Sequence, residues 1–202
     1  MKTYELVIDN EADDMLGVNA ISLVTAPAIE SDFVAFSKTE PFKAKFEAVN
    51  NEKRIVMGAA LIPNKLIYRR RGDGEEFNVF LSAETINQAS QLFLKRGFHN
   101  RATLEHQERV DGVTVVESWI VEDSKIDKSA VHGMNHPIGT WMISMKIFNE
   151  EVWTDFVKTG ILKGFSIEGY FTELETKVTE MSKVNEDEEF LKELFEVLES
   201  IK

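Results

Sequence analysis

The apolar residues of this chain come in short runs, each stopped by turn-forming residues. Ile55 to Ile62 ends at Pro63-Asn64, and Phe77-Asn78-Val79-Phe80-Leu81 is separated from Leu66-Ile67-Tyr68 by Gly72-Asp73-Gly74. Runs of that length with those breakers read as strands, and the second pair reads as a β-hairpin. The same signs predict strands over residues 3–9, over pieces of 17–36 broken at Ala26-Pro27-Ala28, and over 140–148 and 161–172. Residues 37–53 are charged and weakly patterned, so a loop or short helix is expected there. Two segments read as helices. Ser82 is a good N-cap, Glu84 lies in the first turn, Lys95 and Arg96 lie in the last, and Gly97 ends the segment. Asn149 caps a second, shorter one, in which Val152, Trp153, Phe156 and Val157 share a face before Gly160. The count predicts a β-rich α+β fold: a bent antiparallel sheet or small barrel with a few helices.

The 202 residues suffice for one domain with a real core and a small appendage. No apolar run approaches the roughly 20 residues of a membrane span, and the first residues lack a signal-peptide pattern. The absence of cysteine excludes disulfides, thiol catalysis and cysteine zinc sites, and suits a reducing compartment. A cytosolic protein is expected. A net charge of -12 argues against direct binding of nucleic acid through its phosphates. The charge is unevenly placed: from Glu173 to Lys202 ten acids and four lysines give -6, half of the total. Residues 1–172 are therefore expected to form the main domain and 173–202 an acidic amphipathic tail. In that tail Phe190, Leu191, Leu194, Phe195, Leu198 and Ile201 recur at helical spacing, which suits either docking on the domain or oligomerisation.

One segment carries chemistry in its spacing. Asp111-Gly112 between two β-prone runs is a preferred two-residue hairpin turn, because both central positions need positive φ. If Val110 faces Val113, His106 lies opposite Glu117 and Leu104 opposite Trp119, on one face. A carboxylate on an apolar strand face needs a partner, and it would fix the tautomer of a facing imidazole as a catalytic base requires. A purely structural His–Glu pair is the plainer alternative.

Ser166 lies in a predicted strand with glycines two before and three after it. Glycine in a strand marks close approach of another backbone, such as a bound substrate chain. A serine merely tolerated in a crowded strand is the commoner case. Glu168 shares the Ser166 face by alternation and is the alternative third catalytic group, ranked below Glu117 on the hairpin register.

Further blocks extend these two segments: Ile62-Pro63 with Ile67-Tyr68-Arg69, Leu104-Glu105-His106, Val115 to Asp123, Gly139-Thr140-Trp141-Met142 and Gly164 to Phe171, after an opening Asn19 to Val24 with Pro27-Ala28. Together they resemble the XkdF-like phage serine proteases of the prohead maturation protease group, similar in fold to herpesvirus assemblin. The resemblance spans about residues 4–172 and implies a histidine followed by a serine in a Gly-x-Ser segment, which fall on His106 and Ser166. It implies a serine endopeptidase without metal or organic cofactor, acting in the host cytoplasm inside the assembling procapsid. Capsid and scaffold proteins would be its substrates, cut before DNA packaging. For the third member, assemblin uses a second histidine and the phage groups an acid. His132 and His136 therefore rank below Glu117.

Other signals are weaker. His132-x-x-x-His136 would suit a metal only on a helix, and Gly133 and Pro137 oppose one. Arg69-Arg70-Arg71 reads as the solvated end of a hairpin. The competing functional class is a non-catalytic capsid-assembly or scaffold protein that keeps the protease fold. The separation of Ser166 from His106 distinguishes the two.

Overall fold

Ser82 sets the start of the longest helix: its side chain accepts from the Thr85 amide, and the chain runs as α1 (Ala83–Lys95) until Gly97 turns it at φ 71°. Along α1, Ile86, Ala89, Leu92 and Phe93 are buried. Phe93 meets Trp141 edge-on at 5.5 Å between ring centroids, and both side chains are fully enclosed. A buried side chain of this size contributes roughly 1.5–3 kcal/mol, so this contact is a main anchor of the core.

The computed structural model describes residues 1–30, 34–36 and 53–176. Its strands are β1 (Lys2–Val7), β2 (Gly17–Val24), β3 (Val34–Phe36), β4 (Ile55–Leu61), β5 (Ile67–Arg70), β6 (Glu76–Phe80), β7 (Ala102–Leu104), β8 (Glu108–Arg109), β9 (Val113–Ile120), β10 (Trp141–Ile147), β11 (Gly164–Tyr170) and β12 (Thr172–Thr176). They form three four-stranded sheets in the orders β12-β1-β6-β5, β3-β4-β10-β9 and β11-β2-β7-β8. The fold is β-rich with few helices, as the sequence predicts. Its strands are divided among three sheets and do not close into one barrel. Two pairings, β1 with β6 and β2 with β7, are parallel, so two of the three sheets are mixed where antiparallel pairing was expected. The reason lies in chain order: α1 follows β6 and carries the chain back to begin β7 beside β2.

The β5–β6 hairpin forms around Gly72–Gly74, and Gly74 takes φ 92°. Asn149 accepts from the Val152 amide at 3.0 Å and opens a π-helical turn over Val152–Val157 that buries Val152, Trp153 and Val157. The hairpin expected over 102–121 does not form. β8 folds back on β7, and β9 pairs with β10. Asp111-Gly112 still turns the chain, but the Gly112 carbonyl accepts from Phe148 and Asn149 at the end of β10. A turn signal says where a chain reverses, not which strand it then joins. Of the expected acidic helical tail, residues 173–176 belong to β12 paired with β1; the remainder, like residues 37–52, lies outside the described residues.

Candidate active site

The third sheet sets the site. β11 runs antiparallel to β2 with Ser166 directly opposite Ser22, and β2 runs parallel to β7 with Ser22 beside Thr103. Side chains directly opposite share a face, so Ser166, Ser22 and Thr103 form a row across three strands. Strand alternation adds Glu168, two residues beyond Ser166. The register shifts between Glu168 and Gly169, a bulge of the kind that re-aims a neighbouring side chain. Gly169 is required there: a Cβ would lie 2.1 Å from the Gly17 carbonyl oxygen. The close approach signalled by this glycine is thus made by the chain's own β2.

His106 arrives from the turn joining β7 to β8. The Gln107 amide donates to the Leu104 carbonyl at 2.9 Å, and both central residues, Glu105 and His106, have positive φ, 49° and 59°. That is the geometry that favours the twist of a two-residue hairpin, made here without glycine. Other bonds hold it. The Glu105 amide donates to the Leu23 carbonyl at 3.1 Å, its carboxylate accepts from the Thr25 amide, and the His106 amide donates to Ser22 Oγ at 3.0 Å. The turn is thereby folded over β2, toward β11.

The imidazole crosses β2 and meets Glu168, with Nδ1 3.1 Å from Oε1. The same oxygen accepts from the Thr103 hydroxyl. A carboxylate only accepts, so Nδ1 carries the hydrogen and Nε2 presents its lone pair. The two side chains keep 42% and 33% of their surface in water, so the pair is reachable from outside. Ser166 is half-buried on the same face, and no hydrogen bond joins it to His106 among the described residues. Ser22, fully buried, is engaged by the His106 amide and faces the Thr103 carbonyl.

Glu117 is elsewhere. It stands on β9 of another sheet, opposite Ser144, and pairs with Lys128. Lys128, and then Ser144, hold its carboxyl below the usual carboxylate range. Leu104 and Trp119, expected to face each other, pair instead with Leu23 and Met142. The structure therefore seats Glu168 against His106, in place of Glu117. Ser22 and Thr103 were not singled out in the sequence, since no motif marks a serine or threonine that meets its partner only across a parallel pairing.

His132 and His136 do not share a helix: α2 (Lys128–Val131) ends at His132, and Gly133 follows at φ 77°. Among the described residues no group of three His, Cys, Asp or Glu could hold a metal, and no helix is long and apolar enough to cross a membrane.

The chain belongs to the family described as "Putative phage serine protease XkdF", whose model matches residues 43–175, well over half of its length. The match takes in His106, Ser166 and Glu168 and leaves out Ser22. No curated protein and no solved structure matches the chain.

Proposed function

We propose that this chain is a serine endopeptidase of phage prohead maturation on an assemblin-like fold, with Ser166 as nucleophile, His106 as general base and Glu168 as the acid that orients it. The observation that carries this reading is the Nδ1–Glu168 contact of 3.1 Å on the sheet face that also bears Ser166. Across β2, Ser166 and Ser22 have Cβ atoms roughly 4.5–5.5 Å apart, and the His106 turn rests on Ser22 Oγ. A rotation of the Ser166 side chain and a small shift of the imidazole bring Oγ and Nε2 together, as binding of substrate commonly does.

In the reaction His106 Nε2 takes the Ser166 hydroxyl proton while Oγ attacks the peptide carbonyl carbon. The imidazolium, steadied by Glu168, returns the proton to the leaving amine, and water then releases the acyl group by the same route. Among the described residues β11 is the end strand of its sheet, so amide groups along its outer side lack a ladder partner there and are suited to hold the developing oxyanion. Capsid and scaffold proteins inside the procapsid are the proposed substrates.

The test is co-expression with the neighbouring capsid and scaffold proteins, followed by mass spectrometry of protein termini. New termini are expected with the parent and none with Ser166→Ala or His106→Ala. A second reading, a non-catalytic assembly protein with this fold, is favoured by the missing Ser166–His106 hydrogen bond. Unchanged termini in both variants would establish it.

A further inference from the structure

Arg69 and Arg71, on β5 and in the turn that follows it, are engaged differently. Arg71, two residues on, stacks over Phe77 at 4.2 Å and pairs with Glu75 and Glu173. Arg69 has no carboxylate partner among the described residues; its guanidinium donates only to the neighbouring Tyr68 carbonyl, at 3.1 Å. By strand alternation it shares the face of Ile67, which is buried, and it lies opposite buried Phe77 on β6. A cation on the apolar side of a sheet is unusual. The residue keeps much of its surface in water, yet its head is crowded enough for burial to push its pKa down.

The face it joins leads to β11, where Phe165, Ser166 and Ile167 border it. Arg69 and Ser166 line one recess with Leu6, Ile29, Ile67 and Val79, and its volume is about 30 Å³. That space holds a water or a methyl-sized group, so the guanidinium is what distinguishes the place chemically. A partly dehydrated, unpaired guanidinium on a recess bordered by the strand of the reacting serine offers a planar pair of donors suited to a carboxylate. With a net charge of -12, the protein as a whole repels acidic chains, so an exposed cation here acts as a local selector.

We infer that Arg69 is a specificity residue that binds the carboxylate of an aspartate or glutamate flanking the bond to be cut. This rests on Ser166 being the nucleophile. The stem of Arg69 also covers apolar surface, as such stems do, but that role would be indifferent to substrate charge.

Two measurements separate the claims. In the first, paired diphenyl phosphonate probes carry a glutamate-like or glutamine-like side chain on the carbon bearing phosphorus; Ser166 Oγ displaces a phenol and keeps the label. In the second, fluorescent hexapeptide pools, randomised except for a fixed Glu or Gln at the third position, are bound to Ser166→Ala protein. The glutamate probe and pool are expected to be favoured by at least about tenfold, and R69Q should erase that difference while handling the glutamine forms as the parent does. Equal handling of both forms by the parent, or an R69Q loss that falls equally on both, overturns the assignment. If neither probe labels the parent, the protease reading fails, and the pool binding still decides the role of Arg69.

Discussion

Replacing Glu168 by glutamine is the sharpest probe of the site. The amide oxygen can still accept from Thr103 and from His106 Nδ1–H, so orientation is largely kept and the negative charge is lost. A hydrogen bond to a charged group is worth about 1.5–3 kcal/mol, against about 1 for a neutral one. Exchanging the charged bond for a neutral one loses about 0.5–2 kcal/mol, which at about 1.4 kcal/mol per decade slows the reaction about 2- to 30-fold. The exposures of 42% and 33% favour the lower end, because water already screens the imidazolium. The assay is the time course of new termini in co-expression, or the labelling rate of Ser166 by a fluorophosphonate. Glu117→Gln serves as the control. Its partner Lys128 opens α2, and a surface pair of this kind contributes about 0–1 kcal/mol to stability. Labelling should stay within about threefold of the parent for Glu117→Gln, since that carboxylate is remote from the imidazole. A Glu117→Gln loss that equals the Glu168→Gln loss, or an unaffected Glu168→Gln, refutes the assignment of Glu168.

Gly169→Ala forces the Gly17 backbone away from a Cβ set 2.1 Å from its carbonyl oxygen, and should lower stability by about 1–3 kcal/mol in urea titration. Because the bulge beside it aims Glu168, Ser166 labelling should also fall well below the melting temperature. Trp141→Ala empties the space between α1 and β10 and strands the Ser118 hydroxyl that accepts from its indole at 2.8 Å, so a loss of about 3–5 kcal/mol is expected in the same titration. His136 is half-buried with Nε2 unpartnered, and burial lowers its pKa despite the opposing charge of Asp127. Its neutral form is the one the fold accommodates, so the contribution is present above the unfolded value of about 6.5 and is lost as pH falls below it. Melting temperature should therefore drop between about pH 7 and 5, with a shallower slope in His136→Asn.

Local features were readable in the sequence. The cap at Ser82, the break at Gly97, the β5–β6 hairpin and the Asn149 cap depend on neighbours in the chain, and each formed where its residues indicated. Pairing between distant strands was not readable. Asp111-Gly112 has the stronger turn chemistry, yet the reversal that places the histidine occurs at Glu105-His106, where neither residue advertises positive φ. Turn chemistry therefore points to a carboxylate across a neighbouring turn, whereas the one beside the imidazole comes from β11, 62 residues along the chain. Alternation alone had put Glu168 on the face of Ser166. The missing step was the parallel β2–β7 pairing, which brings that face under the turn.

That turn sets function against durability. A left-handed backbone at a residue with a side chain raises the energy of the native state, by about 1–3 kcal/mol at such positions. Position 106 is therefore one where glycine would relax the chain while removing the imidazole. A screen that rewarded only heat resistance would drift toward a sturdier, inert protein through this single codon. Under the proposed function, a culture that depends on finished capsids would be expected to keep the less comfortable residue.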